Sequence, residues 1–176
     1  EFQGEDRILV VNKNGTYYTT DYDLSNHYEE GFSVIEKYEP EKVWSAVFFD
    51  AEQQFYYLKR FRFENVVRHT LFIGETEGSY LVALSGEKRP RFEVVFGGRY
   101  ESRPAEVIVA DEFIAEKSYK ARGKRVTTYE VKQISEIEPL DSGEEESEEA
   151  ALTDIDFEIT NPDMLSDETQ MRLDFE

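Results

Sequence analysis

The sequence has no cysteine among its 176 residues, which excludes a disulfide scaffold, thiolate zinc sites and cysteine nucleophiles. It also has no apolar run of the roughly 18 residues that a membrane-spanning helix needs, and no secretion signal. We therefore expect a cytoplasmic protein with no membrane partner. Because the chain starts abruptly at Glu1 without an initiating methionine, we interpret it as a fragment of a longer protein.

Residues that carry chemistry are also scarce. The two histidines, His27 and His69, have no partners at the spacing of metal ligands. Among 39 acidic residues chance pairs are inevitable, so no carboxylate pair is assigned a catalytic role. We predict no catalytic residue, no metal site and no cofactor in this fragment.

Negative charge is abundant but unevenly placed. The formal net charge is −19. Residues 136–176 hold 16 acidic residues and one basic residue, a net of −15, whereas residues 1–135 hold 23 acidic and 19 basic residues, a net of −4. The overall charge argues against a nucleic-acid partner, but its distribution leaves the first three quarters of the chain close to neutral.

Aromatic residues make up 14% of the chain and, with valine and isoleucine, favour strands. The clearest hairpin signal is Asn14-Gly15 between two β-prone runs, because a type I′ turn needs positive φ at both central residues. One further strand is predicted at residues 125–131. The predicted hairpins pair residues 7–13 with 16–20, 43–49 with 54–58, 80–84 with 91–96, and 107–110 with 113–117.

Hairpins repeated with a loose period favour a propeller-like array over a sandwich. We predict an all-β fold with one domain over residues 1–138. Residues 139–176 are predicted to form an acidic linker and C-terminal tail, because the stretch from Asp141 to Glu149 has no apolar residue. Apolar residues return at Ile155, Phe157 and Ile159, alternating with acids as in an edge strand.

Two segments resemble a known family, the C-terminal domain of the A subunit of bacterial type IIA topoisomerases, DNA gyrase and topoisomerase IV. Residues 8–20 resemble the core of one blade: an apolar strand, an Asn-Gly turn and a second strand. Residues 117–128 resemble the basic loop that leads into a blade strand. The first segment has Tyr17-Tyr18 where a Lys-Arg pair is common, and the second lacks the Gln-Arg-Arg-Gly-Gly-Lys-Gly order of the gyrase box.

The resemblance implies a β-pinwheel, a propeller variant whose hairpin blades exchange strands, in a partial or open array. It also implies a noncatalytic domain that binds and bends or wraps DNA for an ATP-dependent type II DNA topoisomerase, positioning DNA for strand passage during supercoiling or decatenation. The implied partners are double-stranded DNA, the remainder of the A subunit and the B subunit, in the bacterial nucleoid. ATP, Mg²⁺ and the nucleophilic tyrosine would lie elsewhere in the holoenzyme. Gyrase and topoisomerase IV are not distinguished.

Basic residues are the candidates for contact with DNA phosphates, which supply most nonspecific affinity. A solvated strand face is the alternative explanation for each group. The strongest group is Lys117, Lys120, Arg122, Lys124 and Arg125, and the others are Lys59, Arg60, Arg62, Lys88, Arg89 and Arg91.

The acidic tail has three interpretations. It is a solubilising end, or it competes with DNA phosphates for the basic residues of the domain, or it contains a protein-binding peptide. Gln170, Leu173 and Phe175 resemble the Gln-x-x-Leu-x-Phe peptide that binds the bacterial sliding clamp, which would then be a further partner. The functional alternative to DNA binding is a propeller-like protein-interaction module with an acidic regulatory tail.

Overall fold

A computed structural model of the chain describes residues 5–140 except positions 24 and 29. This part is built from strands, with a one-turn helix α1 at Ala110–Phe113 and a 3-10 turn at Gly98–Tyr100. In the described part of the chain, no helix has the length and hydropathy to cross a membrane. The strands are β1 Arg7–Asn12, β2 Thr16–Asp21, β3 Phe32–Lys37, β4 Trp44–Asp50, β5 Phe55–Phe61, β6 Thr70–Leu71, β7 Tyr80–Ser85, β8 Arg91–Phe96, β9 Glu106–Val109, β10 Lys124–Arg125 and β11 Val131–Ile137.

The first sheet has the order β3-β1-β2-β6 and is antiparallel throughout. Its central hairpin turns at Asn14-Gly15, as the sequence predicts, but the predicted type I′ turn is wrong, because Asn14 does not have the positive φ that such a turn needs. Gly15 has a φ of +84°, a conformation that glycine adopts without strain. The side-chain oxygen of Asn14 accepts a hydrogen bond from the backbone N–H of Thr16 at 3.0 Å and so braces the turn.

The second sheet has the order β10-β5-β4-β7 and the third has the order β11-β8-β9. The hairpin of β4 and β5 is the second one predicted, and it pairs Trp44 with Phe61 at one end and Asp50 with Phe55 at the other. In the third sheet β8 pairs with both β9 and β11. The all-β prediction is therefore confirmed, with three antiparallel sheets, of which the first two each contain a predicted hairpin.

The sheets exchange strands. After β5 the chain returns to the first sheet to form β6 beside β2, and then enters the second sheet again as β7. After β9 it returns to the second sheet to form β10 beside β5, before joining the third sheet as β11. Each returning strand is only two residues long. This exchange is the arrangement that the resemblance to a β-pinwheel implies.

Two of the four predicted hairpins are wrong. Residues 80–84 do not pair with residues 91–96, because β7 lies against β4 and β8 belongs to the third sheet. Residues 107–109 form most of β9, but the chain makes the turn of α1 from Ala110 onward, and residues 113–117 form no strand. The predicted strand at 125–131 is instead a connection with β10 at its start and β11 at its end.

The core has two parts that share the second sheet. Phe48 and Phe61 of that sheet pack in a cluster that includes Tyr17 of the first sheet. Val47 and Leu58 belong to the same two strands but pack instead with residues of the third sheet such as Phe92. Successive residues of a strand point to opposite faces, so β4 and β5 are covered on both sides. A sheet buried on both faces is a firm support for loops attached to its edge.

Candidate nucleic-acid interface

The basic segment, residues 117–125, lies along β5 at the edge of the second sheet. The backbone N–H of Lys117 donates to the carbonyl of Arg60 at 2.9 Å, and β10 pairs Lys124 with Leu58. Between these contacts Gly123 has a φ of +93°, and a Cβ at that position would lie 2.6 Å from the carbonyl oxygen of Leu58. Only glycine allows the loop to lie this close to the sheet.

The five cations of the basic segment are all exposed, but they do not share one face. The ammonium of Lys124 donates to the carbonyl of Phe113 at 3.3 Å and lies 4.2 Å from the centre of that ring. The guanidinium of Arg125 lies 4.2 Å from the ring centre of Phe55. Because successive strand residues point in opposite directions, these two cations leave the sheet edge on opposite sides.

Lys59 does not belong to the DNA-contact set, so the prediction for it is wrong. Its side chain is buried, with only 2% of the residue exposed. Its ammonium donates to the carbonyl oxygens of Phe72, of Tyr119 at 2.6 Å and of Ala121 at 3.3 Å. Burial lowers the pKa of Lys59 to about 7. The residue anchors loops and cannot reach a phosphate.

The arginines predicted outside the basic segment already have partners in the protein. Arg62 pairs with Glu41 at 2.6 Å and with Glu116 at 2.8 Å. Arg89 pairs with two carboxylates of α1, those of Asp111 at 3.1 Å and Glu112 at 2.7 Å.

The other two arginines bond to backbone carbonyls. The guanidinium of Arg60 donates to Ile114 at 3.3 Å, and that of Arg91 donates to Glu138 at 2.7 Å. Lys88 is exposed beside Glu87 in a shallow depression of mixed charge. Because of these contacts, the predicted basic residues outside the basic segment, other than the buried Lys59, are weaker candidates for phosphate contact. They are Arg60, Arg62, Lys88, Arg89 and Arg91.

A groove of about 900 Å³ adds two residues to the candidates for DNA contact, and the sequence did not indicate either of them. One of its walls is residues 68–76 and the other is residues 119–122. Arg68 and His69 on the first wall join Lys120 and Arg122 on the second. Arg68 and His69 stand in a connecting loop, where the sequence shows neither a strand period nor a helix period. No sequence pattern could therefore indicate that they lie beside a segment 50 residues further along the chain.

A second cleft, of about 430 Å³, has several aromatic side chains in its lining beside polar residues. Phe55, Tyr56, Tyr100 and Tyr129 contribute rings, and the guanidinium of Arg99 lies 4.9 Å from the ring centre of Tyr100. The Tyr56 hydroxyl lies 3.1 Å from that of Tyr80, and burial raises the pKa of Tyr56 to about 12. The Tyr56 hydroxyl is protonated at neutral pH, as an unperturbed tyrosine is, and hydrogen-bonds at the edge of the cleft.

Across the residues described, no three His, Asp or Glu side chains come together in a way that could hold a metal ion. The clamp-type peptide of Gln170, Leu173 and Phe175 lies outside the described residues, as does the acidic stretch from Asp141 onward. Both stay predictions from the sequence.

Comparisons with known proteins identify the family. No curated protein sequence gives a significant match. A solved structure described as the C-terminal domain of DNA topoisomerase IV is similar to this chain, with a TM-score of 0.49 and 13% identity, covering 78% of this chain and 48% of that one. The chain thus spans about half the length of that structure. The family model for the topoisomerase C-terminal domain of Bacteroidota matches residues 1–138. The chain therefore belongs to the topoisomerase C-terminal domain family.

Proposed function

We propose that this domain binds duplex DNA through the basic segment and bends it for the type II topoisomerase of which it is part. One observation carries the proposal: five exposed cations lie within nine residues, with no acidic residue among them, along a well-supported sheet edge. Lysine and arginine side chains on such an edge can follow successive phosphates of a DNA backbone.

In the proposed mechanism the domain positions DNA and catalyses no reaction itself. Lys124 and Arg125 leave the sheet edge on opposite sides, so phosphates held by both would follow a path that turns around this edge. Bending of this kind costs energy that depends on DNA flexibility, and it needs no contact with base edges. Cleavage, ATP and Mg²⁺ would belong to the remainder of the A subunit and to the B subunit. The parent enzyme would be bacterial and cytoplasmic, and residues 139–176 would form its acidic tail.

The test is duplex binding across a salt series with a charge-reversal variant of the full chain. Lys120→Glu together with Lys124→Glu should weaken binding and reduce the slope of log K against log salt by about 0.9 for each phosphate that the protein no longer neutralises. The matched control is Lys13→Glu with Lys132→Glu, which makes the same charge change at exposed sites, one beside the turn of the first hairpin and one on the third sheet.

The control separates a local contact from a general effect of charge. If both double variants lower affinity and slope equally, the basic segment has no special role. If the unaltered chain binds no duplex at low salt, DNA binding itself is wrong. Protein interaction would then be the better proposal, and the aromatic cleft around Tyr56 and Tyr129 is the feature that favours it.

A further inference from the structure

We infer that Arg68 and His69, on the first wall of the 900 Å³ groove, bind phosphate together with Lys120 and Arg122 on the second wall, and that one backbone of the duplex lies between them. The inference rests on the proposed function and extends it. It assigns DNA contact to residues of the first sheet's returning segment, 68–76, in addition to the basic segment on the second sheet.

The two walls are joined beneath the groove by Lys59. Its ammonium has three N–H donors, and three backbone carbonyls accept them. Phe72 belongs to one wall, and Tyr119 and Ala121 belong to the other. A single buried side chain therefore holds both walls at a fixed separation. Such preorganisation reduces the entropy that a ligand must otherwise remove on binding.

The first wall is also fixed from the side of the first sheet. Strand β6 pairs Thr70 with Tyr17 of β2. The ring of His69 stacks on that of Tyr18, with centres 4.3 Å apart and planes 19° apart. The hydroxyl of Thr70 donates to the carbonyl of Arg68 at 2.9 Å. These contacts hold the backbone that carries the Arg68 side chain, which is itself exposed.

Three acidic residues, Asp50, Glu52 and Glu75, also line the groove, so phosphate contact depends on how firmly they hold its exposed cations. Asp50 has a buried carboxylate that accepts the backbone N–H groups of Glu52 at 2.9 Å and Gln53 at 3.2 Å. Arg122 lies 3.9 Å from Asp50 and 3.7 Å from Glu52, and its side chain is 56% exposed. The pair with Glu52 is exposed, and such pairs contribute little stability, so Arg122 can leave Glu52 for a phosphate while Asp50 keeps its backbone N–H partners.

The floor of the groove strengthens contacts with an anion. Phe72, Ile73 and Tyr119 line it and are buried. Apolar groups lower the local dielectric constant, and an ion pair beside them is stronger than one in bulk water. The groove thus places exposed cations above a buried apolar floor.

The experiment is duplex binding by the full chain carrying Arg68→Gln or Arg68→Lys, again across a salt series. Arg68→Gln removes the charge, so we expect about tenfold weaker binding at low salt and a salt slope smaller by about 0.9. Arg68→Lys keeps the charge and should retain the slope of the unaltered chain. Arg99→Gln is the matched control, because Arg99 is an exposed arginine that lies outside the groove.

The outcomes distinguish this inference from the proposed function. If Arg68→Gln behaves like Arg99→Gln while the Lys120 and Lys124 reversal still weakens binding, DNA contact by the first wall is wrong and DNA binding by the basic segment stands. If no variant changes the affinity, or the chain binds no duplex, the proposed function fails with it. Thermal unfolding of each variant shows whether weaker binding reflects a damaged fold.

Discussion

The side chains of β5 alternate between the two faces of the sheet, and this alternation places Lys59 on a buried face. Tyr57 and Phe61, two residues away on either side, are both buried on the same face. The ammonium is therefore placed among the rings of Phe48, Phe61 and Phe72, at 5.0 to 5.6 Å from their centres. Desolvation opposes the charged form, and the carbonyls that accept its three N–H bonds offset that cost.

Removing this ammonium should destabilise the domain in a pH-dependent way. Lys59→Met leaves carbonyl acceptors without a donor, and we expect the free energy of unfolding to fall by about 3 kcal/mol. The pKa of Lys59 falls from 10.5 in the unfolded chain to about 7 in the fold. Between these values the unfolded state binds more protons, so this group makes stability rise with pH, by up to about 1.4 kcal/mol per unit.

Urea unfolding at pH 7, 8 and 9 measures that effect. The difference between the unaltered chain and Lys59→Met should widen as the pH rises, because the variant has no such group. A difference that stays constant across this range would show that the amine keeps its ordinary pKa in the fold. Tyrosine ionisation affects both proteins alike and cancels in the comparison.

At the scale of elements, the sequence predicts strands whose partners are local. The first two hairpins were predictable because β1 and β2, and β4 and β5, are joined by short turns and are six or seven β-prone residues long. The strands β6 and β10 were not, because two residues have no measurable period and their partners come from an earlier sheet. For the same reason the sequence did not indicate Arg68 and His69, which lie beside the basic segment because the sheets exchange strands.

Gly123 lets the chain approach β5 closely enough for β10 to pair with it. Replacing Gly123 tests whether β10 needs that close approach. Gly123→Ala should destabilise the domain by about 1 to 3 kcal/mol, because the position has a positive φ and a Cβ would collide with the Leu58 carbonyl at 2.6 Å. The amide of Val126, which donates to the carbonyl of Tyr56 at 2.9 Å, should then exchange faster with solvent.

Gly31→Ala is the control for backbone strain alone. Gly31 has a φ of +100°, and a Cβ there meets nothing within 4 Å. Its effect should therefore be smaller and should leave the exchange of Val126 unchanged. Equal effects of the two substitutions would mean that close approach to β5 does not hold the basic segment in place.

At the scale of the whole molecule, charge is divided along the sequence between the domain and the residues that follow it. Residues 136–176 carry a net charge of −15, against −4 for residues 1–135. The sequence alone showed this division, because formal charge needs no structure. The sequence could not show which cations are exposed. Lys59 is buried, and Arg62 and Arg89 form ion pairs, because of contacts with residues distant in the sequence.

The acidic residues after Leu140 should lower the affinity for duplex DNA by electrostatic repulsion. A chain that ends at Leu140 should therefore bind more tightly at low salt. The advantage should shrink as salt rises, because the screening length falls from about 10 Å at 0.1 M to about 3 Å at 1 M. A full-length chain with the Asp and Glu residues from position 141 onward replaced by Asn and Gln keeps the length and removes the charge. If it binds like the unaltered chain while the shortened chain binds more tightly, the effect belongs to chain length rather than charge.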